Sequence, residues 1–596
     1  MRTNWLAAAS LGAILLSPPA IETPRAQGSA SAAAMARVIV KYKSGTGLTK
    51  AQAATAGDRK PAQMRSLAGR VGVDLVAGAE VAERSHVVFA TGIGSAALAA
   101  RLAADSDVEY AVPDGRKHAL SVPNDPFYAS RPYDAASAPA SGGPLAGQWY
   151  LKPPAATGTA GSAVSSVNAE QAWDITTGAA SVVVAVLDTG VRFDHPDFKR
   201  VSAGGNLLEG YDFISADRSD VFLTANDGDG RDADASDPGD FVTAAEKAGV
   251  ATFKDCDVVD SSWHGTQTLS LIGAQANNGV GMASVGRNVK VLPVRVIGKC
   301  GGFDSDIVAA MRWAAGLSVP GVPANANPAR VINMSLGGVG ACGQIYQDTI
   351  NEVAAAGAVI VVSAGNDGTA VSSPANCSGV IAVAGLRTDG DKGGISSLGP
   401  EIAIAAPSAN CPTGSPCTYP ILAAYNAGKT TPAAEPPEGT YTGSFVVFLG
   451  TSFSAPLVSG AAALMLSVQP SLTPADIKAR LQSSARPFPT SGSSITPNAP
   501  LCAAPTSTAQ VNCYCTTTTC GAGMLDVHAA VLAAAAGAAS TPPVTTASGD
   551  SGGGGGGGGG GALGVGWLSL LLVAVLALVS TPRRGRSLGA ARTCRD

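Results

Sequence analysis

The chain has 596 residues, 73 of them glycine, with 46% hydrophobic and only 14% charged residues and a formal net charge of −4. That length exceeds one ordinary domain and predicts several modules. The near-neutral balance, with no basic stripe, excludes nucleic-acid binding through phosphate contacts.

Residues 1–26 read as a secretory signal: Arg2, an apolar run from Trp5 to Leu16, then prolines and small residues. Residues 35–118 predict a small α+β module. Val38-Ile39-Val40 and His86-Val87-Val88-Phe89 read as strands, Ser95 to Ala104 as an Ala/Leu helix, and Val108 to Val112 as a last strand. A helix between the first two strands would complete a ferredoxin-like β-α-β-β-α-β unit.

A larger module spans residues 121–535. Its run Ser181 to Leu187 is continuously apolar and strand-forming, as expected for a parallel strand covered on both faces, and it ends in Asp188-Thr189-Gly190. A carboxylate at the C-terminal end of such a strand points into the crevice where α/β proteins place their sites. Only two histidines, His195 and His264, lie between residues 150 and 500. His264-Gly265-Thr266 precedes a small, apolar run that predicts a buried helix. Gly450-Thr451-Ser452-Phe453-Ser454-Ala455-Pro456 places a serine in a turn that feeds a second apolar helix, Leu457 to Met465. A serine hydroxyl needs exposure and an adjacent base to be a nucleophile, and a helix N-terminus adds partial positive charge where an oxyanion forms. Alone, this serine reads first as a helix cap. Together, Asp188, His264 and Ser452 give the order Asp, His, Ser, each within two residues of a glycine.

On these motifs the chain resembles the subtilisin-like serine proteases over residues 165 to 485. Two further blocks carry the likeness: Asn333-Met334-Ser335-Leu336-Gly337-Gly338 and Val361-Val362-Ser363-Ala364-Gly365-Asn366. The resemblance implies an α/β fold, a parallel sheet with helices on both faces, which the alternating strand and helix patterns favour independently. It implies Ser452 as nucleophile, His264 as base, Asp188 as its orienting acid and Asn366 as an oxyanion donor. Ser335, Leu336 and Gly337 would pair with substrate, and with Ser363, Ala364 and Gly365 would line a pocket of broad specificity for apolar or large residues. By the same likeness residues 35–118 are an inhibitory propeptide, with processing between Arg116 and Asn124. The implied function is a secreted serine endopeptidase made as a self-processing zymogen, with protein or peptide substrates and no cofactor for catalysis. The rival reading is a catalytically inactive binding protein on a protease scaffold, against which the retention of four separated groups argues.

The chain departs from the family at Gln267, where a second histidine is usual, at Leu269 and Ser270, at Ser408 and at Phe453. Asn277 to Gly281 resembles a shortened form of a loop that binds calcium in some relatives, and that site is not carried over. The acidic stretch Asp227 to Asp237 gathers Asp227, Asp229, Asp232, Asp234 and Asp237 among glycines, which reads either as a structural calcium site or as a solvated loop.

Ten of the eleven cysteines lie between residues 256 and 520, an even set that suits disulfides in an oxidising compartment. The expected pairs are Cys256–Cys300, Cys342–Cys377 and Cys411–Cys417. Cys502, Cys513, Cys515 and Cys520 allow three pairings, with a metal site as a lesser reading. After a Ser/Thr/Gly-rich linker (541–561) ending in ten glycines comes an apolar segment, 562–580, barely long enough to cross a bilayer, and a basic tail, 581–596. This arrangement resembles the C-terminal sorting tails of Gram-negative secreted proteins, which a rhomboid-like protease removes. It implies transient contact with the inner membrane before release; the alternative is a permanent anchor.

Overall fold

The structure, a computed structural model, describes residues 35–46, 59–115, 122–129, 146–156, 162–408, 417–437, 439–444, 446–493 and 498–536. The expected signal, Cys411, the glycine linker, the apolar segment 562–580 and the basic tail with Cys594 lie outside the described residues, as does most of the expected processing stretch.

The first module has strands β1 (Ala36–Tyr42), β2 (Val76–Ala82), β3 (Ser85–Ala90) and β4 (Val108–Pro113), with helices α1 (Arg59–Val71) and α2 (Ser95–Ala103). The sheet order is β2-β3-β1-β4 with antiparallel pairing throughout. This is the split β-α-β unit that the apolar pattern predicts. Its core joins Val38, Val40 and Val88 to Leu67, Leu98 and Leu102. The strand that pattern reading misses is β2, whose VAGAEVA sequence buries no side chain fully and so carries no apolar alternation.

The second module is built on seven parallel strands in the order β11-β10-β9-β8-β5-β7-β6. These are β5 (Val183–Asp188), β6 (Tyr211–Asp212), β7 (Lys290–Arg295), β8 (Val331–Met334), β9 (Val359–Ser363), β10 (Ile381–Leu386) and β11 (Ile402–Pro407). Along β5 every residue is buried, because alternate side chains enter two different cores. Val184 and Val186 join the core shared with helices α3 (His264–Gly273), α6 (Ser454–Val468), α7 (Pro474–Ser483) and α8 (Val527–Ala535). Val183, Ala185 and Leu187 join the opposite core, with α4 (Asp304–Ala314) and α5 (Gln344–Ala355). Helices on both faces are thus what make the strands uniformly apolar.

Because the strands are parallel, β5, β8 and β9 end at the same edge of the sheet. Asp188 closes β5, Ser335 follows β8, and Ser363 closes β9. Helix α6 packs across the sheet against β8, β9, β10 and β11. From Ser454 to Leu466 every residue is buried. A helix buried all round loses about 2–5 kcal/mol for a Leu-to-Ala change, so it is a rigid mount for the turn at its start.

Two expected disulfides are present, Cys256–Cys300 and Cys342–Cys377, with Cα–Cα distances of 5.6 and 5.0 Å. Cys417 is also disulfide-bonded. The open choice among the last four cysteines resolves as Cys502–Cys513 and Cys515–Cys520. Among the described residues, Cys502, Cys515 and Cys520 are the only acidic, histidine or cysteine side chains close enough as a group to hold a metal. Their sulfurs are committed to disulfides, so the metal reading of this cluster is corrected.

Candidate active site

Asp188 leaves β5 with its carboxylate buried and its two oxygens facing the start of α3. His264 Nδ1 lies 2.8 Å from Oδ1 and 3.0 Å from Oδ2. Thr268 Oγ1, one turn along the same helix, donates to Oδ2 at 3.0 Å, and the Thr189 amide donates to Oδ1 at 2.8 Å. The carboxylate is therefore fixed from three directions, and the imidazole is fixed by it. Burial pulls the His264 pKa down, but the Asp188 charge and hydrogen bond, followed by the charges of Asp240 and Asp237, outweigh it and hold the ring above its usual value. The His264 side chain stays 24% exposed, which leaves its other nitrogen open to the cleft.

The glycines of these two motifs are imposed by contact. A Cβ on Gly265 would sit 2.1 Å from the Gly190 carbonyl oxygen, and one on Gly190, at φ +99°, would sit 2.7 Å from the Ala235 carbonyl oxygen. The strand-end turn and the helix start touch backbone to backbone. Trp263, just before the histidine, has φ 51° and ψ 31°. That left-handed conformation costs a bulky residue about 1–3 kcal/mol. Complete burial and an indole hydrogen bond to the Gly428 carbonyl at 2.7 Å hold it there.

Ser452 lies in a single 3-10 turn, Thr451–Phe453, that runs directly into α6. Its Oγ donates to the Ser335 carbonyl at 3.3 Å, and the Ser335 hydroxyl donates back to the Ser452 carbonyl at 2.8 Å. It does not bond to His264, although both line one cleft. Such contacts commonly tighten only when substrate binds. Behind Ser335 runs a buried chain that sequence reading does not find: Asn333 Nδ2 donates to Ser335 Oγ at 3.1 Å, and Ser459 Oγ donates to Asn333 Oδ1 at 2.9 Å. It ties β8 to α6, and so the two walls of the cleft to each other. Asn366 places its side-chain carbonyl on Thr451, accepting from the backbone amide at 2.9 Å and the hydroxyl at 3.1 Å. Its Nδ2 makes no hydrogen bond among the described residues.

The cleft encloses about 500 Å³ and is lined by His264, Ser452, Asn366, Ser335, Leu336, Gly337, Ser363 and Gly365, among others. Ala364 is the exception. It is fully buried in the core, because the extended backbone turns alternate side chains to opposite sides, and Ser363 and Gly365 take the cleft side. Beside this cleft, and sharing Ile297 and Leu336 to Val339 with it, is a second cavity of about 320 Å³ lined by Ile307, Ile345 and Tyr346.

Three of the departures make local hydrogen bonds. Gln267 is buried and donates to the Ser262 carbonyl at 2.8 Å. Ser270 accepts the Ala424 amide at 3.0 Å, and Ser408 donates to the Leu386 carbonyl at 3.2 Å. The Asn277–Gly281 loop wraps two carboxylates: the Asn277 and Asn278 amides donate to Asp125, and Asn278 Nδ2 donates to Asp197 at 2.8 Å.

The acidic stretch does not form the expected ligand set. Asp227 pairs with the Arg295 guanidinium, which also grips the buried Asp212. Asp232 and Asp234 accept backbone amides from Asp234 and Ser236, and the Asp229 amide donates back to Asp227 at 3.4 Å. Asp237 points inward, receiving the Thr189 hydroxyl at 2.6 Å. Four of the five carboxylates, those of Asp227, Asp232, Asp234 and Asp237, therefore serve an arginine, local turns and the residue beside Asp188 rather than one centre. Alternating small residues aim them in different directions, which their clustering in sequence conceals.

Comparison with known proteins agrees with this geometry. Residues 179–514 match the Subtilase family. The chain is 37% identical over 502 residues to an extracellular protease of Xanthomonas campestris pv. campestris, covering 81% of this chain and 74% of that one. It is 34% identical over 458 residues to an extracellular basic protease of Dichelobacter nodosus, covering 74% of this chain and 65% of that one. Among solved structures, a protease from Pseudoalteromonas arctica aligns with a TM-score of 0.54 and 39% identity, over 70% of this chain and all of that one. The family match spans more than half of the chain and falls on the seven-stranded sheet and its cleft: the chain belongs to the subtilase family of serine proteases.

Proposed function

We propose that the protein is an exported endopeptidase in which Ser452, His264 and Asp188 act as nucleophile, general base and orienting acid. The observation that carries this is the paired contact of His264 Nδ1 with both Asp188 oxygens, in the same cleft as a serine at the start of a buried helix. Ser452 Oγ attacks a peptide carbonyl as His264 Nε2 takes its proton. Asp188 holds the Nδ1–H tautomer and stabilises the imidazolium, which then protonates the leaving amine. The Ser452 amide and Asn366 Nδ2 face the developing oxyanion. Catalysis in this family needs no cofactor.

Leu336 and Gly337 spend no backbone N–H or C=O on hydrogen bonds within the described residues, which leaves an edge for substrate to join as a strand. The small walls at Gly337, Ser363 and Gly365 and the neighbouring cavity of mixed polar and apolar lining favour broad cleavage after large or apolar residues. The relatives named extracellular proteases support export. Residues 36–113 have the strand order of a split β-α-β unit, in keeping with an inhibitory propeptide ahead of the protease. The C-terminal segment is read as a sorting anchor cut by a rhomboid-like protease.

The test is labelling by a fluorophosphonate followed by peptide mapping. Modification at Ser452, lost in Ser452→Ala and in His264→Ala, is expected. An intact, folded protein that neither labels nor cleaves casein would establish the inactive-scaffold reading instead. In Ser452→Ala the precursor is expected to stay unprocessed; normal maturation of that purified variant would rule out self-processing.

A further inference from the structure

Helix α3 begins at the proposed base with no side-chain cap of its own, since its N-cap residue is Trp263. The first amides of a helix have no partner within it, yet here both are satisfied. The His264 amide donates to Ser262 Oγ at 3.3 Å, and the Gly265 amide donates to Thr189 Oγ1 at 2.9 Å. Each hydroxyl in turn donates to a carboxylate. Ser262 Oγ donates to Asp240 Oδ2 at 2.7 Å, and Thr189 Oγ1 donates to Asp237 Oδ2 at 2.6 Å.

The two relays have the same form, amide to hydroxyl to carboxylate, on consecutive residues. A hydroxyl whose proton is claimed by a carboxylate can only offer its lone pairs to the helix, so each carboxylate fixes the direction of its relay. Both acids come from one short segment, Asp237-Pro238-Gly239-Asp240. That segment is itself anchored: the Gly239 amide donates to Asp237 Oδ1 at 2.9 Å, the Asp237 amide to the Val191 carbonyl at 3.1 Å, and Arg192 Nη1 to the Asp237 carbonyl at 2.9 Å. The Ser262 amide also donates to Asp240 Oδ1, at 2.6 Å.

We propose that Asp237 and Asp240 are positioning residues for His264, holding the turn that carries it through the hydroxyls of Thr189 and Ser262. The two nearby acids also favour the charged imidazolium, against the positive end of the helix dipole. The carboxylates that act on the ring electrostatically are Asp188, Asp240 and, above the value of about 7 to which burial pushes it, Asp237; Asp188 alone touches the ring. The segment thus adds a support to the aspartate of the triad, from a stretch that the family motifs do not include.

This inference rests on His264 being the general base. The processed enzyme is assayed for kcat and KM against pH on one peptide substrate. Asp240→Asn is expected to move the acid limb of kcat/KM to lower pH by about half a unit, as loss of a nearby negative charge requires. Asp237→Asn and Thr189→Val are expected to lower kcat about tenfold with KM unchanged, and Thr189→Ser to restore it. Asp240 is only partly buried, so its variant remains informative should Asp237→Asn fail to fold. An unmoved limb in Asp240→Asn, together with full kcat in Thr189→Val, overturns the proposal. A changed KM for peptides with a basic residue near the scissile bond, with limb and kcat unmoved, overturns it in favour of a substrate-binding role for Asp240. Activity surviving in His264→Ala would instead refute the base assignment beneath it.

Discussion

Asn366 Oδ1 is bound to the amide of Thr451, the residue before the proposed nucleophile, at 2.9 Å. One half of the side-chain amide is spent on holding the nucleophile turn, so the other half, the Nδ2 donor, faces the cleft in a fixed orientation. A donor set in place before the reaction costs no reorganisation as charge develops.

Asn366→Ala is therefore expected to lower kcat by about 10²–10³-fold, the usual loss for one oxyanion donor in a subtilisin-like site, with KM changed far less. Steady-state kinetics on a chromogenic peptide measures this. A fall confined to KM would assign Asn366 to ground-state binding.

The pH profile follows from the charges around His264. The ring must be neutral to accept the serine proton, and its neighbours hold it above the ordinary value of about 6.5. Activity should rise with pH along a limb displaced to the alkaline side of that value. An optimum near pH 4 would remove His264 from the mechanism.

Arg295 and Asp212 are each only 1% exposed, and Arg295 is shared with Asp227. In Arg295→Met the two carboxylates are left facing each other without a cation, which should cost about 3–5 kcal/mol. Burial already pushes Asp212 up to about 7, against the pull of Arg295. Without the arginine its folded-state pKa rises further, so the folded state binds more protons than the unfolded state. The deficit should then be smallest in acid, where Asp212 is protonated in both proteins, and grow as pH rises through about 7 and beyond. Thermal melts of both proteins across that range give the comparison; a constant deficit would mean that the carboxylates are not the source.

Truncation after Gly549 is expected to release a soluble enzyme with full specific activity and no surface attachment. Fractionation and assay of the truncated and complete chains test this. Complete protein purified from the cell surface, with Cys594 still present, would instead support a permanent anchor.

Much of this site can be read in advance wherever a short run of sequence carries its own physical reason. The apolar run to Leu187 reads as a strand covered on both faces, which puts Asp188 at its end. Gly265 and Gly190 mark a close approach of two backbones. Ala364 and Asp237 are different, because their orientation depends on which side the chain turns after a strand, and nothing local in composition encodes that. The Asn333–Ser459 bond joins residues 126 positions apart. The two relays onto α3 use Ser, Thr and Asp side chains that would pass for turn residues anywhere else. The acidic stretch misleads for the same reason, since charge clustered along the chain is dispersed in space.

Helix α8 closes the protease module by packing on α6, and the Val527 amide bonds back to the Val167 carbonyl at 2.8 Å. The beginning and end of the domain are thus stitched together. A chain that crosses a membrane from its N-terminus therefore cannot complete its core until residue 535 has emerged. Throughout that interval the stretch Thr451–Val468 is uncovered, and it is apolar and long enough to pass for a bilayer-spanning segment. What distinguishes it from an anchor is only that a folding partner arrives some sixty residues later. On the proposed export route, translocation must therefore outrun lateral escape into lipid, so that timing, as much as the composition of the segment, would decide whether this serine ends up in a protease or in a membrane.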